Sequence, residues 1–331
     1  MIRHVVVVAS LALVACGSKK KVYEDAGAAG NAGSGSGSAV GSGSAATPAQ
    51  IAAAFDKKCV AGDLEACRNL GVMYTEGVGV EKDARKAAAL YAQACNGGLL
   101  AGCNHLALVL AEGLGIEKDP AKAVELYQRA CDGGYGLACR NLGLLLRDGR
   151  GVDKDLAKAE TALDKACQSG TPFGCTNAGD LDRLRALDEK DAKQRTARFK
   201  AMIDHYKQAC DAGDGTGCRQ LGVAYLEGTG LPKTPSAASV WLDRGCKKDE
   251  PIACRVLGMM TVDGVGVPRD RAAGRQLIKR ACDRKDAEAC KALAVVDGAG
   301  SGGAGSGSGS TPGGAVTDAG AGSPDALIKP R

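Results

Sequence analysis

The sequence contains few aromatic residues and few histidines. Its 331 residues include 3 Phe, 7 Tyr, 1 Trp and 3 His. A shortage of large rings disfavours β-sandwiches and other folds whose cores are built around aromatic side chains. The chain also lacks a strong excess of charge, because 43 Lys and Arg and 38 Asp and Glu leave a formal net charge of +5. An excess this small gives no reason to expect a nucleic acid as partner.

The sequence has no apolar run long enough to form a membrane-spanning helix. Such a helix needs roughly 18 to 20 apolar residues, and the stretch from Val5 to Val14 falls well short of that length. It follows a basic start that includes Arg3. A basic start before a short apolar stretch is typical of a secretory signal peptide. We therefore expect a signal peptide at residues 1–15.

The end of this segment resembles a bacterial lipobox. Leu13-Val14-Ala15 precede Cys16, and the resemblance implies that Cys16 is acylated and becomes the N-terminus of the mature chain. Acyl chains would then hold the protein on a membrane without a spanning helix. An ordinary secretory signal with an incidental cysteine is the alternative. By similarity to sorting rules in Gram-negative bacteria, the absence of Asp after Cys16 implies the outer membrane, on its periplasmic face or its surface.

Two segments of low complexity flank the rest of the chain. Residues 16–48 and 298–331 consist largely of Gly, Ser and Ala. Segments of this composition cannot bury enough apolar surface to offset the entropy that is lost on ordering. We therefore expect a flexible tether after Cys16, a disordered tail at the C-terminus, and a folded region at residues 49–297.

Cysteine is frequent, with 15 residues, and its spacing is regular. Apart from Cys16, the cysteines form seven pairs of the form C-x7-C, whose first members recur at steps of 36, 36, 36, 43, 36 and 36 residues. A fixed period near 35 residues is typical of solenoids of helical hairpins, in which each unit buries its apolar face against its neighbours. The longer step marks an insertion near residues 180–200, where we expect a lengthened helix pair or a local kink.

Most units carry the same hairpin pattern. Three positions after the second cysteine, an apolar residue is followed by a small one, as in Leu70-Gly71, which indicates that two helices cross closely there. The first helix of the hairpin should end at a Gly-x-Gly loop such as Gly77-Val78-Gly79, because glycine permits the positive φ that ends a helix. The second helix should begin at an N-cap residue. The candidate N-cap residues are Asp83, Asp119, Asp155, Thr234 and Asp270.

These motifs resemble the Sel-one-like repeat, a relative of the tetratricopeptide repeat. Ala66-Cys67-Arg68-Asn69-Leu70-Gly71 and Gly77-Val78-Gly79-Val80 carry the resemblance. The form with two cysteines in 36 residues is similar to the bacterial cysteine-rich Hcp-type repeat proteins. The match covers about residues 49–297 and departs from the family pattern between Cys175 and Cys210. The resemblance implies an all-α, right-handed superhelical solenoid of disulfide-stapled helical hairpins, with about six repeats plus terminal half repeats.

Two disulfide pairings are sterically possible. Pairing across a unit, such as Cys67 with Cys95, would leave Cys59 and Cys290 without partners. Pairing within each C-x7-C motif uses all fourteen cysteines, and the sequence favours it. The favoured bridges are Cys59–Cys67, Cys95–Cys103, Cys131–Cys139, Cys167–Cys175, Cys210–Cys218, Cys246–Cys254 and Cys282–Cys290. The spacing is not one used by zinc sites, and the mature chain would hold only two histidines, so we expect neither a metal nor a cofactor.

A hydrolase is the alternative function that the resemblance raises. Some Hcp-type relatives are described as penicillin-binding or β-lactamase-like. The serine-acylation signature requires a Ser with a Lys three residues later on one helix face, and its only instance is Ser18 with Lys21, in the predicted tether. The sequence contains no His-Glu-x-x-His motif. We assign no catalytic residue, and the sequence favours a protein that is not an enzyme.

Two polar columns on the first helices predict a binding surface. Repeated amides can bond an extended peptide backbone, and a neighbouring row of cations can hold carboxylates. The amide column consists of Asn69, His105, Asn141, Asn177 and Gln220, and the arginine column consists of Arg68, Arg140, Arg219 and Arg255. Alternatively, both columns are solvated helix surface, or the amides bond adjacent turns.

These observations predict a lipid-anchored scaffold in the bacterial cell envelope that binds proteins or peptides. Its expected partner is an envelope protein, a peptide or a cell-wall fragment, together with the membrane that holds the lipid. The β-lactamase-like or penicillin-binding hydrolase remains the alternative.

Overall fold

The computed structural model describes residues 46–298, and every regular element in that range is an α-helix. The all-α prediction is therefore confirmed for this part of the chain. The predicted signal peptide, Cys16, almost all of the tether and the predicted tail lie outside the described residues. Among the described helices, none combines the length and the apolar character that crossing a membrane requires.

The described chain forms a series of helical hairpins, each helix packing mainly against its neighbours in sequence. The helices are α1 Pro48–Val60, α2 Leu64–Glu76, α3 Ala84–Asn96, α4 Leu100–Glu112, α5 Pro120–Asp132, α6 Gly136–Asp148, α7 Leu156–Gln168, α8 Gly174–Asp188, α9 Ala192–Asp211, α10 Gly215–Glu227, α11 Pro235–Lys247, α12 Pro251–Asp263, α13 Arg271–Asp283 and α14 Ala287–Gly298. Even-numbered helices are the first helices of the predicted units, and odd-numbered helices are the second helices. This arrangement is the predicted solenoid of hairpins.

Local chemistry sets the ends of most helices. Helix α2 ends at Gly77, which adopts a left-handed conformation with φ 75° and donates its N–H to the carbonyl of Met73. Helix α3 begins after Asp83, whose carboxylate accepts the backbone N–H of Lys86 at 3.0 Å. The same cap occurs at three further predicted positions, Asp119, Asp155 and Asp270. These caps satisfy backbone donors that the helix itself leaves free.

The capping role predicted for Thr234 is wrong. Thr234 stands at the N-cap position of α11, but its side chain makes no capping hydrogen bond. Its hydroxyl instead donates to the carbonyl of Pro232 at 3.0 Å. Donation to Pro232 holds the hydroxyl in an orientation that makes no bond to the first turn, and Pro235 in that turn removes one backbone donor that would otherwise need a cap.

The two helices of a hairpin approach closely at the predicted small residue. A Cβ added to Gly143 would lie 2.5 Å from Cγ of Leu163, and one added to Gly71 would lie 2.6 Å from Cε1 of Tyr91. Real Cβ atoms do not approach carbon atoms so closely, so only glycine fits without a shift of the neighbouring helix. The leucine and the tyrosine are themselves fully buried. The contact therefore fixes how each hairpin closes.

Each C-x7-C motif is closed by a disulfide that joins the end of a second helix to the start of the next first helix. The seven bonds link the pairs that the sequence favoured, not cysteines across a unit. The Cα atoms of each pair are between 4.2 and 4.6 Å apart. Most of the bonded sulfurs belong to the apolar core, whereas Cys290 near the C-terminal end is exposed.

The insertion lengthens one helix pair. Helix α8 has 15 residues and α9 has 20, whereas most other helices have 13. The connection within this hairpin is shorter than in the other hairpins, because residues 189–191 replace the Gly-x-Gly loop. Helix α9 ends at the next cysteine of the series, so the regular pattern resumes at Cys210.

Removing one disulfide tests the contribution of the bridges to stability. Each bridge closes a loop of about nine residues, which corresponds to about 2.5 kcal/mol of lost chain entropy in the unfolded state. We expect the double substitution Cys131→Ala and Cys139→Ala to lower the free energy of unfolding by about that amount, as measured by urea denaturation without reductant.

The terminal bridge is the matched control for this variant. Substitution of Cys282 and Cys290 by Ala opens a loop of the same length, but the sulfurs are less buried, so the loss should be smaller. Peptide mapping without reductant that found free thiols at Cys131 or Cys139 would contradict the pairing.

Candidate functional site

The arginine column contacts the start of the next first helix. Arg219 Nε lies 3.0 Å from Oε1 of Glu250, the N-cap residue of α12. Arg255 Nε donates to Oδ2 of Asp286 at 2.9 Å, across 31 residues of sequence. In the insertion unit, the hydroxyl of Thr176 donates to Asp214, the N-cap residue of α10. These contacts tie neighbouring repeats together.

The N-terminal half lacks these carboxylates. The residue 31 positions after Arg68 is Leu99, the N-cap residue of α4, and the residue 31 positions after Arg140 is Thr171, two residues before the N-cap residue of α8. The Arg68 side chain is 17% exposed and donates from Nη2 to Glu65 on its own helix at 2.7 Å. Its Nε atom is buried without a hydrogen-bond partner. Nε of Arg219 is likewise without a hydrogen-bond partner. Arg68 and Arg219 therefore differ in where their carboxylate lies, on the same helix for Arg68 and at the start of the next first helix for Arg219.

The Arg140 guanidinium lies beside an aromatic ring. Its central carbon is 5.6 Å from the centroid of Phe173, close enough for a cation–π contact. Phe173 stands immediately before α8 with φ 59°, and its side chain is exposed.

The amide column divides into bonded and open positions. Asn141 Nδ2 donates to Oδ1 of Asn104 at 2.9 Å, and Gln220 Nε2 donates to Oδ1 of Asp180 at 2.9 Å. These two side chains bond neighbouring repeats, as the structural alternative expects. Asn69 is half-buried, and Nδ2 of Asn177 is buried without a hydrogen-bond partner.

The structure contradicts the binding role predicted for His105. The residue is only 7% exposed, and its ring lies 5.0 Å from the ring of Tyr91. Its Nδ1 is 2.7 Å from the carbonyl oxygen of Ala101, so that nitrogen carries the proton and donates. Burial lowers the pKa of His105 and favours the neutral ring. Spacing alone placed His105 on the correct helix, but it did not show that Tyr91 covers it.

The sequence analysis missed an ionic cluster at the insertion, formed by Glu160, Asp164, Asp182, Arg198 and His205. His205 Nδ1 lies 2.8 Å from Oδ2 of Asp182, and its Nε2 lies 3.7 Å from Oδ1 of Asp164. Arg198 lies 3.4 Å from Oδ1 of Asp182 and also pairs with Glu160. The cluster joins helices α7, α8 and α9.

Alignment of the units would have revealed this cluster. Asp182 stands seven residues after the second cysteine, where the preceding two units have Leu110 and Leu146. His205 stands five residues before the next cysteine, where an earlier unit has Leu126. Two positions that are apolar in other repeats are thus ionisable here. The apolar core is correspondingly divided into one cluster that ends at Leu181 and another that begins at Met202.

Opposing effects set the charge of His205. Burial alone would lower the pKa of its imidazole, but the hydrogen bond with Asp182 and the charges of Asp182, Asp164 and Asp204 outweigh burial and raise it above the usual value. Burial also raises the pKa of Asp164. Asp182 is 4% exposed and is contacted by both Arg198 and His205, which satisfies the need of a buried polar group for partners.

Other chemistry has little support among the described residues. His, Cys, Asp and Glu side chains in residues 46–298 form no group of three that could hold a metal ion. Ser18 and Lys21, the pair with the serine-acylation spacing, lie outside the described residues.

Comparison with protein families identifies the repeats. The family model described as "Sel1 repeat" matches residues 64–99, 100–135, 136–170, 216–250 and 251–286, which is more than half of the chain. The chain belongs to the Sel1 repeat family. Sel1 repeat proteins generally serve as scaffolds for protein–protein interaction. The insertion and the ionic residues of α8 and α9 lie between matched repeats.

Solved structures share this Sel1 fold. The chain is 22% identical to c5321, a protective antigen present in uropathogenic Escherichia coli strains, with a TM-score of 0.62 over 76% of this chain and 53% of that one. It is 23% identical to a Sel1 repeat protein from Oxalobacter formigenes, with a TM-score of 0.61 over 76% of this chain and 70% of that one. The chain thus spans about half the length of the Escherichia coli protein.

A further solved structure matches a smaller share of this chain. The Helicobacter pylori cysteine rich protein B is 26% identical, with a TM-score of 0.33 over 42% of this chain and 96% of that one. A comparison with curated proteins finds no match. Disulfides persist in oxidising compartments, so the seven described bonds indicate an extracytoplasmic protein.

The ionic cluster predicts a pH-dependent contribution to stability. Because the folded-state pKa of His205 is raised, its charged form stabilises the fold fully below about pH 6.5, and this contribution is lost as pH rises through the folded-state pKa. We expect His205→Gln to remove this dependence, as measured by the free energy of unfolding in urea between about pH 5.5 and 8.5.

His105→Gln is the matched control, because the pKa of His105 is lowered and its contribution has the opposite sign. The wild type gains free energy of unfolding from the neutral form of His105 as pH rises. His105→Gln should lack this gain. Equal pH slopes for the wild type and His205→Gln would contradict the role of the cluster.

Proposed function

We propose that this Sel1 repeat protein is an interaction scaffold of the bacterial cell envelope, held on a membrane by a lipid at Cys16. The first helices would present their polar columns to a protein or peptide partner. The observation that carries the proposal is that buried donors of both polar columns have no hydrogen-bond partner, among them Nε of Arg68, Nδ2 of Asn177 and Nε of Arg219. Buried donors are normally satisfied, so an acceptor from a partner is their natural complement.

The disulfides and helix contacts that position these side chains are suited to a preorganised binding surface. Seven disulfides and close helix crossings fix the positions of the first helices before any partner arrives. A surface that is ordered in advance loses less entropy on binding. This rigidity supports binding through side chains whose positions are fixed in advance.

The proposed location rests on two features of the chain. Disulfides persist in oxidising compartments such as the bacterial periplasm and the cell surface. The lipobox at Leu13–Cys16 supplies the attachment. We further propose that the lipid attaches the protein to the outer membrane, because no Asp follows Cys16.

We do not propose a hydrolase. The serine-acylation spacing at Ser18 and Lys21 falls in the predicted tether, where a rigid pocket is not expected.

Cross-linking in the native envelope tests the scaffold function. We expect a photoreactive amino acid in place of Asn69 to capture a discrete protein in living cells, because the side chain lies on the proposed surface. The matched control is the same substitution at Glu125, an exposed position on the second helix α5. Capture is read by mass spectrometry of the cross-linked bands. Equal labelling from both positions, or a cell-wall fragment in place of a protein, would contradict a protein-binding scaffold.

Lipid attachment is tested separately. We expect Cys16→Ala to abolish incorporation of labelled palmitate and to release the protein from the membrane fraction, because no other cysteine occupies the lipobox. The control is the double substitution of Cys282 and Cys290 by Ala, which leaves the lipobox intact and should keep both properties. Palmitate incorporation that survives Cys16→Ala would contradict the anchor.

A further inference from the structure

We propose that the C-terminal bridge, Cys282–Cys290, is a site of thiol–disulfide exchange, at which a thiolate from outside the chain attacks Cys290 and displaces Cys282. The exchange loosens α14, the last helix that the structure describes. This inference goes beyond the scaffold function and does not depend on it. It follows from comparing the seven bridges with one another.

Burial separates this bridge from the six before it. The cysteines of those six bridges are at most 7% exposed. Cys282 is half-buried instead, and Cys290 is exposed. In every earlier unit a second helix follows the first helix and packs against it, whereas α14 is the last described helix. An external thiolate can therefore reach Cys290 without displacing a neighbouring helix, and access is one of the factors that set the rate of exchange.

The bridge Cys246–Cys254 shares the turn conformation but not the exposure. Lys285, between Cys282 and Cys290, has φ 69°, in the left-handed region that bulky residues rarely adopt. Asp249, between Cys246 and Cys254, has φ 66°. The two bridges also share their spacing, yet Cys246 and Cys254 are 1% and 0% exposed. Because backbone strain is common to both turns, burial is the feature that distinguishes the two bridges.

The exchange balances with thiols as the only co-reactant. The incoming thiolate forms a bond to Sγ of Cys290 while the bond between the two cysteines breaks, and Sγ of Cys282 leaves as a thiolate that takes a proton from water. The product is a mixed disulfide at Cys290 and a free thiol at Cys282. A second external thiolate can attack the mixed disulfide, which leaves both cysteines reduced and joins the two external sulfurs in a new disulfide.

Helix α14 has few other attachments to the solenoid. It fully buries only Ala289, fewer residues than any other described helix buries. Asp297 in its last turn pairs with Arg275 of α13, but both side chains are more than 40% exposed, and exposed pairs contribute little. Asp286, just before its start, accepts Arg255. Once the bridge is broken, little apolar burial keeps α14 against α13, so we expect local opening of this helix.

Timed reaction of the full-length protein in detergent with reduced glutathione tests the exchange. Aliquots are treated with excess iodoacetamide, which alkylates the Cys282 thiolate before it can attack back, and are mapped by mass spectrometry without reductant. We expect the glutathione adduct on Cys290 and the alkyl group on Cys282. The matched control is Cys246–Cys254 in the same molecule, which should react about tenfold or more slowly, because its buried sulfurs require local opening of the fold.

Hydrogen exchange of the same samples tests the loosening of α14. We expect faster amide exchange across residues 287–298 after the reaction, and unchanged exchange in α12, whose bridge remains closed.

A cysteine variant in the native envelope shows which thiol reacts. Cys282→Ser leaves Cys290 as an exposed thiol, which should carry an adduct that reductant removes. The mass of the adduct distinguishes a small thiol from a protein thiol. Cys246→Ser is the matched control, because Cys254 is buried and should carry no adduct. Urea denaturation checks that both variants are folded, and the glutathione experiment requires no variant.

Three results would overturn the inference. Equal reaction rates at the two bridges, or a glutathione adduct on Cys282 in place of Cys290, would contradict attack at the exposed cysteine. An unmodified Cys290 thiol in folded Cys282→Ser from the envelope would contradict exchange with an external thiol. Reaction at Cys290 without faster hydrogen exchange in α14 would contradict the loosening of this helix.

Discussion

The disulfide at each turn between hairpins is the constraint on which the rest of the structure depends. It holds the end of a second helix and the start of the next first helix within 4.2 to 4.6 Å between Cα atoms. All first helices except α8, which begins two residues later, therefore begin at the same place relative to the disulfide. This is why Arg219 and Arg255 reach equivalent carboxylates, and why Thr176 reaches Asp214 despite a separation of 38 residues. The extra residues lengthen α8 and α9 without changing this contact.

The insertion unit exchanges apolar packing for ion pairing. Asp182 and His205 replace leucines of other repeats, and Arg198 is supplied by the added length of α9. Burying ionised groups is costly unless each has a partner, and the cluster provides one for each. Its stability depends on pH, whereas the apolar clusters on either side do not titrate. The stability of the packing at the insertion thus depends on the protonation of His205 as well as on the burial of apolar side chains.

The sequence predicted those parts of the structure that local chemistry decides. The period, the Gly77 helix end, the Asp83 cap and the small residue at Gly143 depend on a few neighbouring residues, so their spacing was informative. The errors at Thr234 and His105 have a different origin. The Thr234 hydroxyl is turned toward the carbonyl of Pro232, to which it donates, and Tyr91 packs over His105 from another helix. Contacts of this kind depend on how helices meet, which spacing within one unit does not specify.

The starts of the first helices have an energetic consequence. A missing side-chain cap costs about 1 kcal/mol, and the first helices α4, α6, α8 and α12 all begin without one. An acid at this position does not by itself supply a cap, because Glu250 at the start of α12 makes no capping hydrogen bond. The disulfides offset this loss, since each contributes about 2.5 kcal/mol on the chain-entropy model. A solenoid that is stabilised by disulfides can therefore leave polar groups of one face exposed to binding partners. A surface that lowers the stability of the fold in this way is typical of a binding site.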